Sequence, residues 1–145
     1  MTDSGSDDEP PTVVRGWPGR ARCVRTARRE LRRDLEGWGL GRLTDAAEVV
    51  LSELFTNALL HACLPPGHQI ETRYQPAEAG VRIEVRDAST VRPVMRRDSL
   101  TAESGRGLPL VDDITEGRWG VSECGEAGKS VWALVTGGRP DEGPR

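Results

Sequence analysis

The chain has 145 residues, with 20 basic and 23 acidic side chains and a net charge of −3. That length suits one domain with a real core, and that charge gives no general pull toward nucleic acid or acidic lipid. No apolar run approaches the length of a membrane span, and the acidic start MTDSGSDDEPP lacks the apolar core of a signal peptide, so a cytoplasmic protein is expected.

Residues 1–11 are acidic and contain Ser and Pro, which predicts a disordered tail ahead of one domain over 12–136. Thr12 to Trp17 reads as a short strand, stopped by Pro18-Gly19. From Arg20 to Trp38 the apolar residues Val24, Ala27, Leu31, Leu35 and Trp38 fall at helical spacing. The other faces of that helix carry Arg22, Arg25, Arg28, Arg29, Arg32 and Arg33. Without interleaved aromatics and in a net acidic chain, this run reads as a solvated or protein-binding face ahead of a nucleic-acid patch. Gly37 and Gly39 end the helix.

Ala46 to Cys63, AAEVVLSELFTNALLHAC, has no internal Gly or Pro and predicts one helix, capped by Thr44 or Asp45 and ended by Leu64-Pro65-Pro66-Gly67. Glu53, Asn57 and His61 recur every four residues, a step of about 40° around a helix, and so form one stripe. Leu51, Leu54, Phe55, Ala58 and Ala62 cover the neighbouring, buried face. Taken alone, such a stripe fits a solvated helix edge as well as a ligand site.

Gln69–Tyr74 and Val81–Arg86 alternate as strands, joined by a hairpin loop over Gln75–Gly80. Asp87 follows directly, opening a small, polar stretch to residue 104 that has no convincing element and looks mobile. Gly105-Arg106-Gly107 then leads into a short helix to about Thr115, with Pro109 in its first turn. Trp119–Glu123 and Ser130–Val135 make a second strand pair around Gly125–Gly128, and 137–145 is a flexible tail.

Several familiar patterns fail. Gly128-Lys129-Ser130 lacks the earlier Gly of a P-loop, Glu123 standing there, and precedes a strand where that loop precedes a helix. Gly105 and Gly107 begin a dinucleotide fingerprint, but Leu110 occupies its third Gly position. His61, Cys63 and His68 could not complete a zinc site without a remote ligand. Cys23, Cys63 and Cys124 are scattered and odd in number, which argues against a disulfide framework.

What remains stands in order: Glu53 and Asn57 on a helix, Asp87 after a strand, Gly105-Arg106-Gly107 entering a helix, and Gly128-Lys129-Ser130 before the last strand. At these residues, over about 12–136, the chain resembles the GHKL (Bergerat-fold) ATP-binding superfamily. The SELFTNALLHA, SGRGLPLV and GKSVWAL segments are most similar to its bacterial anti-sigma-factor serine kinases. A histidine kinase fits less well, since no dimerisation segment with a phospho-accepting His precedes the ATP site.

The resemblance implies a two-layer α/β sandwich in which a mixed, mostly antiparallel sheet carries helices on one face. It implies ATP and Mg²⁺ as cofactors. Asn57 would be the metal ligand, a neutral carboxamide oxygen that leaves room for triphosphate oxygens and water. Glu53 would be the catalytic base toward an attacking hydroxyl. Asp87 would accept a hydrogen bond from the exocyclic amine of adenine. Ser130 matches the position of a Thr that supports this aspartate. Gly105 and Gly107 would offer N–H groups to phosphate, and Arg106 would contact phosphate or face solvent. His61 would be a wall of the site. Ala88-Ser89 departs from the family's usual glycine-containing loop after the aspartate.

The function implied is an anti-sigma factor that sequesters a sigma factor and phosphorylates a Ser on a small, STAS-type antagonist, with no direct contact to nucleic acid or membrane. Relatives imply a homodimer. An ATP-gated binding module with weak or no kinase activity is the alternative, and a scaffold that binds no nucleotide a third.

Overall fold

Alternating apolar residues drive five segments into strands, and apolar residues recurring every third or fourth position drive three into helices. In the computed structural model, which describes residues 11–61, 69–87, 108–123 and 129–136, the strands are β1 (Val13–Pro18), β2 (Gln69–Ala77), β3 (Gly80–Asp87), β4 (Trp119–Glu123) and β5 (Lys129–Thr136). The helices are α1 (Arg22–Gly37), α2 (Thr44–His61) and α3 (Pro109–Thr115). A 3-10 turn over Gly41–Leu43, not anticipated from the pattern, joins α1 to α2. The strands form one sheet in the order β1-β2-β3-β5-β4, antiparallel at every described pairing.

One face of the sheet is apolar. Ile70 and Tyr74, then Val81, Ile83 and Val85, then Val131, Ala133 and Val135 are buried there. They form one cluster with Ala27, Leu31 and Leu35 of α1, Val50, Leu51, Leu54 and Phe55 of α2, and Val111 of α3. The opposite face carries Glu71, Arg73, Arg82, Glu84 and Arg86, as the strand period of two requires. The result is the two-layer sandwich expected. α1 lies along α2, tied by Arg28 to Ser52 and Arg32 to Glu48.

Two local expectations need correction. The hairpin loop is shorter than Gln75–Gly80: β2 runs on to Ala77, and only Glu78 and Ala79 turn, with Ala79 at φ 65°. Pro76 is tolerated in β2 because β1 pairs with it only as far as Tyr74, so an N–H on that side would meet no strand. Gly80 is required, since a Cβ there would sit 2.1 Å from the Val135 carbonyl oxygen. Asp87, expected just past the strand, is the last residue of β3 and pairs with Ile70 and Lys129. The expected tails, the stretch 88–104 and the Gly125–Gly128 turn lie outside the described residues, apart from Pro11.

Candidate functional site

Topology gathers the singled-out residues at one end of the sheet. Asp87 ends β3, Lys129 begins β5 opposite it, and Ile70 near the start of β2 flanks Asp87 on the other side. α1 starts at Arg22, just after Pro18, which pairs with Gln69, and α2 runs antiparallel to α1, with Arg28 on Ser52 and Arg32 on Glu48, so the C-terminus of α2 returns to this end of the sheet. α3 also points its first turn this way, because Glu116-Gly117 at its far end leads straight into Trp119, the end of β4 remote from Lys129.

On α2, Asn57 is 6% exposed and Glu53, one turn earlier, is half-buried. Glu48 and Ser52, on the flank that meets α1, already engage Arg32 and Arg28. Nine residues separate Glu48 from Asn57, a rotation of about 180°. The stripe therefore runs along the flank turned away from α1, beside the core face that packs on β3 and β5. Asp87 is 9% exposed, at the end of a row whose other members, Val81, Ile83 and Val85, are core. A buried carboxamide and a buried carboxylate thus border the apolar layer at the same end, where polar groups are costly without partners or a ligand. The arrangement suits ATP and Mg²⁺ by its donor set. Asp87 can only accept when ionised, and Asn57 offers a neutral oxygen to a hard cation. Among the described residues, no group of three or more His, Cys, Asp or Glu side chains could hold a metal ion, so a metal here would draw other ligands from phosphate and water.

Ser130 is not beside Asp87. Val131, Ala133 and Val135 face the helices, so alternation turns Ser130 to the other side of the sheet, where it pairs with Arg86 and Ser122. Its hydroxyl is buried there without a partner of hydrogen-bond geometry. It lies close to Glu84, which Arg82 Nη1 holds at 3.0 Å. Burial alone raises the pKa of Glu84, but Ser130 and Arg82 outweigh it and hold the carboxyl below its ordinary value. The expected support of Asp87 by Ser130 therefore fails on geometry. The residue facing the helices across from Asp87 is Lys129. The alternation in KSVWALVT was enough to reveal which face Ser130 takes.

Gly105, Arg106 and Gly107 lie outside the described residues, as do Ala88, Ser89, Cys63 and His68; His61 closes α2, its side chain undescribed. Leu108, directly after Gly107 in sequence, is 1% exposed, and Pro109 opens α3 as expected. A groove lined by Ala77, Glu78, Ala79, Glu116, Arg118, Leu134 and Thr136 lies at the opposite end of the sheet and includes none of these residues. No helix among the described residues is long and apolar enough to cross a membrane.

The sequence model of a protein family described as a histidine kinase-like ATPase domain matches residues 17–133, from within β1 to within β5. No curated protein matches the chain.

Proposed function

Because the chain belongs to the histidine kinase-like ATPase domain family, a membership that supports ATP binding and a regulatory role, we propose the following. It binds Mg·ATP at the Asn57–Asp87 end of the sheet and transfers the γ-phosphoryl group to a serine of a small STAS-type antagonist protein. Its ATP-bound form holds a sigma factor.

The observation that carries this reading is the pair of buried polar side chains, Asn57 at 6% and Asp87 at 9% exposure, at one end of the apolar layer. Asp87 accepts from the exocyclic amine of adenine. Asn57 holds Mg²⁺, which when bound neutralises charge on the triphosphate. Gly105, Arg106 and Gly107 supply phosphate contacts. Glu53 takes the proton of the seryl hydroxyl as its oxygen bonds to the γ-phosphorus, while the bond from that phosphorus to the β-phosphate oxygen breaks and ADP leaves.

Calorimetric titration with Mg·ATP and Mg·GTP tests the nucleotide site. ATP should bind more tightly, because guanine presents a carbonyl where adenine presents an amine. Equal affinities would remove Asp87 from reading the base. Incubation with the antagonist and Mg·ATP, followed by mass spectrometry of the antagonist, tests the transfer. ATP binding with no phosphoserine would leave an ATP-gated binding module. Sedimentation checks the homodimer that relatives imply.

A further inference from the structure

Asp87 and Lys129 are direct cross-strand partners at one end of the β3–β5 pairing, and both belong to the face that carries the helices. Directly opposed residues of an antiparallel pair bring their Cβ atoms to about 4.5–5.5 Å, so the two side chains start out as neighbours. Asp87 is 9% exposed and Lys129 is half-buried. Their chemistry is opposite. The aspartate only accepts hydrogen bonds, and the ammonium only donates them, from a flexible four-carbon stem.

We propose that Lys129 is a specificity-determining residue for the base, donating to N1 of adenine while Asp87 accepts from the neighbouring 6-amino group. This rests on the reading that ATP occupies the site. Adenine presents a donor and an acceptor side by side on that edge, and an Asp–Lys pair is the complementary acceptor and donor. Guanine presents the reverse order, a carbonyl at position 6 and an N–H at position 1, so both contacts turn repulsive together. Lys129 is the only lysine among the 20 basic residues.

The test is a cycle between protein and ligand atoms. Wild type, Lys129→Met and Lys129→Arg are titrated calorimetrically with Mg·ATP, with Mg·1-deaza-ATP, which lacks N1, and with the Mg·triphosphate of purine riboside, which lacks the amine. Wild type should lose on the order of tenfold to a hundredfold in affinity for each analogue, the range of a hydrogen bond to a charged group. In Lys129→Met the penalty for 1-deaza-ATP should fall to within about twofold, while the penalty for the missing amine persists. Lys129→Arg, which keeps a donor, should retain part of the N1 penalty, and circular dichroism shows that each variant is folded. A full N1 penalty in folded Lys129→Met, with ATP still bound by wild type, overturns the Lys129 assignment alone. If wild type binds none of the three nucleotides, the ATP reading and the Lys129 assignment fall together.

Discussion

Arg15 on β1 grips Asp34 on α1 with both ends of its guanidinium, Nη1 to Oδ2 at 2.9 Å and Nη2 to Oδ1 at 3.3 Å. Glu30, one turn earlier, lies 3.5 Å from Nη2. This fork ties the first helix to the edge strand. Both partners keep some solvent contact, 28% for Arg15 and 15% for Asp34, so its worth lies between that of a surface and a buried pair. Arg15→Ala should cost about 1–2 kcal/mol, and Arg15→Lys should recover only part, because lysine cannot make the fork. Denaturant unfolding measures both. An unchanged midpoint would mean that Ala27, Leu31 and Leu35 hold α1 without help.

Tyr74 is the chain's one tyrosine, so phenolate absorbance reads it alone. Its hydroxyl is buried without a partner of full hydrogen-bond geometry, Thr72 lying close to it. Burial pushes its pKa up from 10.0 to about 12, with Thr72 offsetting only part. Because the folded value lies above the unfolded one, the stabilisation is complete below pH 10 and is lost as pH rises toward 12. Absorbance should therefore stay flat past the ordinary tyrosine range and rise either near the shifted value or with unfolding. Tyr74→Phe should be neutral or stabilising, since it removes a buried donor with no acceptor of full hydrogen-bond geometry. Ionisation of a folded chain at the ordinary value would contradict the burial.

Glu53 and Asn57 sit one turn apart and are assigned different work. Asn57→Ala should weaken Mg·ATP binding and phosphoryl transfer together. Glu53→Ala should leave binding nearly intact and slow transfer by about 10²–10⁴-fold, the range for a lost general base. Titration and single-turnover phosphorylation of the antagonist separate the two. Transfer at the wild-type rate by Glu53→Ala would end the proposed role of this carboxylate.

Arg22, Arg25, Arg29 and Arg33 line the outward face of α1 and, among the described residues, have no ion-pair partner, whereas Arg28 and Arg32 are held by Ser52 and Glu48. If this stripe meets an acidic surface of the partner protein, the double change Arg25→Glu/Arg29→Glu should weaken that complex by about tenfold or more, more steeply at low salt. ATP affinity should not move, and stability should change by no more than about 0.5 kcal/mol. Tight, salt-sensitive binding of wild type to random duplex DNA at physiological salt would redirect the stripe to nucleic acid.

The helices and strands were legible because their signals are local. In α2 the apolar spacing and the i, i+4 placement of Glu53 and Asn57 depend only on helix geometry, and the structure keeps them on one flank. The antiparallel sheet likewise followed from alternation in VRIEVRD and SVWALV. The 3-10 turn before Thr44 and the continuation of β2 through Pro76 were not legible. A turn depends on the packing it serves, and a proline in a strand depends on whether a neighbour lies alongside.

The candidate site shows the same division more sharply. Residue types and order pointed to Asn57, Asp87 and the glycine-flanked segment before Leu108 from the sequence alone. Which residue stands across from Asp87 did not follow, because pairing is set by register, and a slip of one residue exchanges the two faces of a strand. Register here is fixed at a distance. The Glu78-Ala79 turn aligns β2 with β3, Gly80 lets β5 approach, and the valines of β3 and β5 must share the face that α2 covers. Together these constraints turn Ser130 outward toward Glu84 and leave Lys129 beside Asp87.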